Sequence, residues 1–276
     1  MLNEKFRKYG VPAIAFVLTF ILLFTNVLFT WDKILSDAVC QTGDVPDSRI
    51  FIVAIDDKTL QEYGPINQWS RDIYTQVVET LNQDEIKRPA VITFDIMYLE
   101  NTDEAVDQAF ADACDQAGNV VTAYNIQFKE MPEMDEKGKV TFNPFHIDEI
   151  DYPITEIKET TSYGYANTIV DEDGYVRRFM STVDHNGETH YSLATQTYIK
   201  YMESQGAVPA LPNMWFENNI VPLKYACGTG GYSVVSLCDV LNGTINPAIF
   251  TGGIVYVGAY ASGLMDSYAP AISHGT

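Results

Sequence analysis

The chain has 276 residues, 46% of them apolar, so it is long and apolar enough to bury the core of one large domain or two small ones. Its 17 Lys and Arg face 37 Asp and Glu, a formal charge of −20, and such a surface repels nucleic acid and anionic lipid rather than binding them.

From the N-terminus, Val11 to Phe29 reads "VPAIAFVLTFILLFTNVLF", with Thr19, Thr25 and Asn26 as its polar residues. As a helix it would be roughly 28 Å long, close to the hydrocarbon thickness of a bilayer, so one N-terminal transmembrane helix is expected over residues 11–31. The flank at residues 1–10 carries Lys5, Arg7 and Lys8 against Glu4, while Asp32 and Asp37 bracket Lys33 on the far side. Positive-inside asymmetry then puts the flank in the cytoplasm and residues 32–276 outside the plasma membrane. A cleaved signal peptide is the alternative, although no small-x-small site follows closely. After residue 31 there are 14 Lys and Arg against 36 Asp and Glu, a formal −22.

Beyond a stalk from Trp31 to Ser48, "RIFIVAI" (49–55) reads as a first buried strand. Ser70 can cap a helix on which Ile73, Tyr74, Val77, Val78 and Leu81 recur at three- and four-residue spacing, ending near Pro89. "AVITFDI" (90–96) is a second strand, Asp103 to Ala117 a second helix stopped by Gly118, and "NVVTAYNI" (119–126) a third strand. This alternation predicts right-handed crossovers and an α/β fold with a mixed, mainly parallel central sheet flanked by helices. Residues 128–159 are polar and proline-punctuated, an irregular excursion with one short strand. Two strands around the "DEDG" turn (171–174), a helix from Ser192 to Gln205, a strand near "NIVPLKYA", a short helix in "SVVSLCDVLNG" and a final strand at 252–260 complete the pattern.

The side chains with chemical potential gather at strand ends. Asp56 and Asp57 follow the first strand and Asp95 ends the second, positions at which open α/β sheets place ligands. A cation site would need such oxygens, but Arg71 lies nearby in sequence, and its pairing with one of these carboxylates would brace the loop to the strand ends. Trp69 and Tyr98 could line a pocket beside them. "DEDG" departs from a calcium loop, with Tyr175 and Thr182 at positions five and twelve. His146, His185, His190 and His274 show no metal-binding spacing, and Cys40, Cys114, Cys227 and Cys238 form no C-x-x-C pair. Cys227 and Cys238 could join across a short loop in an oxidising compartment, or all four could be free thiols. No catalytic residue, metal or cofactor is read from these patterns.

The ordered segments "IFIVAIDDKTL", "QWSRDIYTQVVETL", "AVITFDIMYLE", "VDQAFADACDQAGNVV", "GYANTIVDEDGYVRRF", "YSLATQTYI", "VVSLCDVLNG" and "GGIVYVGAYASGLMDSYAP" together resemble the CHASE2 extracellular sensory domain of bacterial transmembrane receptors, over roughly residues 40 to 270. Two positions depart from the family: Gln68 replaces a proline before Trp69, and Ser70 follows it. The chain also stops before the glycine-valine segment that leads toward the next membrane helix. The resemblance implies a sensor of an unknown small-molecule or protein signal, homodimeric through its receptor, that controls a cytoplasmic class III adenylate or guanylate cyclase. A histidine kinase, a Ser/Thr kinase or a diguanylate cyclase are the other outputs. Candidate ligand or brace residues are Asp56, Asp57, Trp69, Arg71, Asp95 and Tyr98, with Arg177 and Asp266 in later matched segments. The rival readings are an exported metal-dependent hydrolase built on the strand-end aspartates, and an anchored structural or assembly protein.

Overall fold

The computed structural model describes residues 6–24, 27–41, 43–134, 140–211, 219–228, 230–261, 263–264 and 269–272. Asp266, one of the candidate site residues, lies outside them. A π-helical turn at Phe6–Gly10 leads into helices α1 (Val11–Phe24) and α2 (Val27–Cys40). Strand β1 (Ile50–Ile55), α3 (Asp57–Tyr63), α4 (Asp72–Asn82), β2 (Val91–Met97) and α5 (Glu104–Ala117) follow. Then come β3 (Val120–Met134), β4 (Val140–Asp151), α6 (Thr155–Thr160), β5 (Ser162–Tyr165), β6 (Tyr175–Val176), β7 (Arg178–Met180), β8 (Thr182–His185) and β9 (Glu188–Tyr191). The chain continues through α7 (Leu193–Ser204), β10 (Ile220–Pro222), β11 (Ser233–Ser236), α8 (Leu237–Leu241), β12 (Ile254–Ala259) and β13 (Ala269–Pro270).

The transmembrane helix expected over residues 11–31 is not supported. Among the described residues no helix is long and apolar enough to cross a membrane. Helix α2, of 14 residues, carries Asp32, Lys33 and Asp37, and Asp37 is buried against the rest of the protein. Asp37 pairs with Arg177 at 2.8 Å, which docks this end of α2 onto the domain.

The central sheet has the order β11-β1-β12-β2-β3, with β5 and β4 continuing along β3. All of its pairs are parallel except β3 with β4. The expected mixed, mainly parallel sheet is therefore present, but the last long strand, β12, inserts between β1 and β2. The polar stretch expected to be irregular is a long hairpin of β3 and β4. It lacks an apolar signal because β4 is mostly exposed, and backbone pairing rather than burial makes it a strand. Strand β11 was likewise hidden inside the segment read as a helix.

One face of the sheet packs Val53, Ile55, Ile92, Phe94, Val255 and Val257 against α4, α5, α6 and α8 as the main core. Helix α5 begins where Asp103 accepts from the backbone N–H groups of Ala105 and Val106, and ends at Gly118, whose φ of 65° suits glycine. The other face receives α7, capped by Ser192. A Cβ on Gly164 of β5 would lie 2.6 Å from the Leu193 Cα, so the close seating of α7 requires glycine there. The Thr93 and Thr197 hydroxyls, 2.9 Å apart, join β2 to α7. This helix leaves the neighbouring β1 and β12 surface partly open.

Candidate functional site: an aspartate and tyrosine cavity on the open sheet face

Asp56 and Asp57 take separate roles. Asp56 caps α3, accepting from the Thr59 N–H at 2.9 Å, the Thr59 hydroxyl at 2.7 Å and the Ser236 hydroxyl at 2.9 Å. Burial pushes its pKa up, but these hydrogen bonds outweigh burial and hold the carboxyl below its usual range. One oxygen thus ties β1, α3 and β11 together. Asp57 lies exposed in the first turn of α3.

Arg71 does not reach the strand-end aspartates. Its Nη1 lies 2.6 Å from Asp107 Oδ1, its Nη2 donates to the Glu100 carbonyl, and its guanidinium carbon sits 5.6 Å from the Tyr98 ring centroid. The reason is the crossover: α4 lies beside α5, which carries Asp107, and Thr102 holds that carboxylate through its N–H and hydroxyl. Tyr98 is a core residue, 5.0 Å from Phe110 and 5.4 Å from Tyr74 between ring centroids. Trp69 packs on Tyr63 and Tyr74 and donates from Nε1 to the Gly64 carbonyl at 2.8 Å. Asp56, Trp69 and Arg71 thus hold three different places in the fold, and the expected pairing of Arg71 with a strand-end aspartate is replaced by its pairing with Asp107.

Arg177 anchors α2. Its Nε donates to both Asp37 oxygens at 2.9 and 3.0 Å, Nη2 donates to Asp37 at 2.8 Å, and Nη1 donates to Asp171 and Asp173 at 2.8 Å each. The "DEDG" turn thus supplies carboxylates to an arginine. Gln41 adds a second tie, donating to the Leu223 carbonyl at 2.7 Å and accepting from the Tyr225 N–H at 3.0 Å.

Asp95 behaves differently. Strand β12 separates it from the end of β1, so it does not converge with Asp56. It pairs in register with Gly258, and two cavities of about 330 and 440 Å³ both touch Asp95 and Tyr256. The smaller is walled by Tyr165, Phe179, Met180, Leu193 and Leu223. The larger runs along the open face past Ile50, Ile52, Tyr232, Gly258 and Tyr260. Burial raises the Tyr256 phenol pKa, a hydrogen bond with Thr197 acts against that, and the Asp95 charge adds to the rise. A Cβ on Gly258 would lie 3.3 Å from the Asp95 Cβ, so glycine leaves room for the aspartate side chain. A larger hollow of about 640 Å³ between the ends of α4 and α5 is lined largely by exposed Glu79, Gln83, Glu85 and Gln116, without the apolar walls of a small-molecule site.

Reading the sequence missed Tyr256, Gly258, Asp107 and Asp37. The first two were findable, since Tyr256, Gly258 and Tyr260 alternate along one face of "YVGAY". Asp107 and Asp37 lie 36 and 140 residues from Arg71 and Arg177 in sequence, and no local pattern marks these two pairings. All four cysteines are free, with Cys238 buried and Cys227 half-buried, so the possible Cys227 to Cys238 bridge is not formed. Among the described residues no group of three or more His, Cys, Asp or Glu could hold a metal ion.

A mainly parallel sheet with helices on both faces makes the chain an α/β domain, with a cavity beside Asp95 and Tyr256 on the face that α7 covers in part. The sequence model of the CHASE2 domain matches residues 14–274, nearly the whole chain. The chain belongs to the CHASE2 family of sensory domains. No curated protein and no solved structure matches it.

Proposed function

We propose that this CHASE2 domain is the input module of a signal-transduction receptor, that it binds a small molecule between Asp95, Tyr256 and α7, and that it works as a homodimer. Its output in this reading is a class III adenylate or guanylate cyclase, with a histidine kinase, Ser/Thr kinase or diguanylate cyclase as the alternatives. The observation that carries the proposal is the pair of cavities meeting at Asp95 and Tyr256 on the sheet face that α7 leaves open. A ligand shifts an equilibrium only through its differential affinity for two arrangements. Strand β7 offers the connection, because Phe179 walls the cavity two residues from Arg177, the residue that grips α2. The hydrolase alternative is weaker, since Asp56 already accepts three hydrogen bonds.

The test is a thermal-shift screen of small metabolites on wild type and on Gly258→Leu, which fills the cavity beside Asp95. Compounds that raise the midpoint of wild type alone support the reading. Compounds that shift both proteins equally, or an absence of hits, sink it, and light scattering that shows only monomer removes the homodimer.

A further inference from the structure

A further cavity, of about 230 Å³, lies where β5, β9 and α7 meet beside Tyr124 of β3, and it shares no lining residue with the two at Asp95. In the smaller Asp95 cavity the Tyr165 hydroxyl donates to the Met180 carbonyl at 2.7 Å, and Asn167 bridges Asn125 and the Ile126 backbone. The polar groups of this further cavity are in the opposite state. Thr189 is engaged with Asp184 at 2.6 Å and Tyr124 with Nδ1 of His190 at 3.0 Å. Among the described residues, however, the side chains of Ser162, Tyr163, Glu188 and Gln196 make no hydrogen bond, and neither does Nε2 of the buried His190. Polar groups from two strands and a helix thus line one hollow without partners inside the protein, and a ligand with matching donors and acceptors completes them.

The local charges balance. Glu188 is the carboxylate of the lining, and the Lys158 ammonium sits 3.4 Å from the Tyr152 ring centroid and 5.6 Å from that of Tyr163. Glu188 therefore opposes an anion, while Lys158, already over the Tyr163 ring, opposes a second cation. His190 is neutral at pH 7, because desolvation lowers its pKa, with Lys158 and His185 acting alike and Glu188 and Asp184 against. A neutral molecule rich in hydroxyls suits such a lining. Each hydroxyl both donates and accepts, so one kind of group serves a carboxylate, an amide, an imidazole and other hydroxyls, while the C–H face of the molecule rests on the Tyr163 ring. The volume falls below the roughly 300–1,000 Å³ of sites for drug-sized ligands, which limits the occupant to about one ring.

We propose that this cavity is a second binding site, one for a small neutral polyol of monosaccharide or cyclitol size, held by hydrogen bonds to Glu188, His190 and Gln196. It is independent of the cavity at Asp95 and Tyr256.

The experiment titrates the full 276-residue chain with glucose, galactose and myo-inositol, each to about 50 mM, a range that detects even millimolar affinity. Cyclohexanol, glucosamine and glucuronate serve as apolar, cationic and anionic counterparts, and NMR signals are followed residue by residue. At least one of the three polyols should shift the signals of Ser162, His190 and Gln196, and it should bind more tightly than every counterpart. Gln196→Leu should weaken that polyol at least about fivefold while the amide spectrum away from the cavity stays as in wild type. Ser162→Ala, which removes a single oxygen, gives the same reading should Gln196→Leu fail to fold. The proposal is overturned by the absence of shifts at Ser162, His190 and Gln196, by shifts confined to Tyr256 and Gly258, by tighter binding of any counterpart, or by an affinity that the folded variants leave unchanged. The reading of the Asp95 cavity is judged separately in every case, because Tyr256 and Gly258 report on it in the same spectra.

Discussion

Arg71 at the N-cap of α4 and Asp107 on α5 form a buried ion pair, their charged atoms 2.6 Å apart, that clamps the two crossover helices together. Removing one partner strands the other charge away from water. Arg71→Ala should therefore destabilise the domain by about 2 to 4 kcal/mol, measured by urea unfolding. The double variant with Asp107→Ala should lose less than the sum of the two single losses, because neither charge is then left alone. Additive losses would show that the two side chains act independently.

Asp56 and Asp57, adjacent in sequence, should differ sharply when replaced. Asp56→Ala removes the cap of α3 and the link to Ser236 and should cost about 1 to 2 kcal/mol. Asp57→Ala changes an exposed first-turn residue and should stay within about 0.5 kcal/mol. Equal melting midpoints for the two variants would contradict the capping assignment.

Arg177→Lys keeps the charge but not the forked contacts to Asp37, Asp171 and Asp173. Helix α2 should loosen, seen as faster amide hydrogen exchange across residues 31–40 while exchange in β1 and β2 stays slow. Exchange unchanged in α2 would mean that the Gln41 and Lys33 contacts suffice to hold it.

The pH dependence of stability should have two limbs. His190 is buried, its Nδ1 lies 3.0 Å from the Tyr124 hydroxyl, and desolvation lowers its pKa from 6.5, with Glu188 opposing and His185 reinforcing the shift. A lowered folded pKa means that stability is fully present above about pH 6.5 and declines as pH falls below it, where the unfolded chain takes up the proton first. His190→Gln should flatten this upper limb in a series of thermal melts. The lower limb belongs to Asp56, Asp107 and Asp171. Burial raises each, but hydrogen bonds from Thr59, Thr102 and Arg177 respectively prevail and hold the carboxyls below their usual range. Their contribution is present above about pH 4 and is lost as pH falls through the folded values. An upper limb that persists in His190→Gln would assign it to another group.

Local signals in the chain were read well wherever physics acts over a few residues. The helix at Asp72–Asn82 follows from the spacing of Tyr74, Val77, Val78 and Leu81, all buried in the structure, and the end of α5 from its Gly118 stop. Ser70 was a less accurate reading: its hydroxyl donates to the Asp72 carboxylate, 2.8 Å away, and the helix begins without a side-chain cap. The hairpin of β3 and β4 escaped notice because its side chains are mostly exposed, so no apolar period marks it. The apolar run at 11–29 suggested a single span because hydropathy counts residues and ignores contacts. The described helices are each too short, and the second is held by the Asp37 to Arg177 pair.

What the sequence by itself determined was the α/β alternation, the strand-forming segments at 50–55 and 91–97, the sensory-family signature and the chemical character of Asp56, Arg71, Asp95 and Arg177, since each depends on residue type and short spacing. The tertiary structure alone decided that β12 enters between β1 and β2, that Arg71 meets Asp107 and Arg177 meets Asp37, and that Asp95 and Tyr256 line the same cavities. Those are relationships between segments 36 to 200 or so residues apart, set by which strand pairing and helix packing bury the most apolar surface, and no local pattern carries that information.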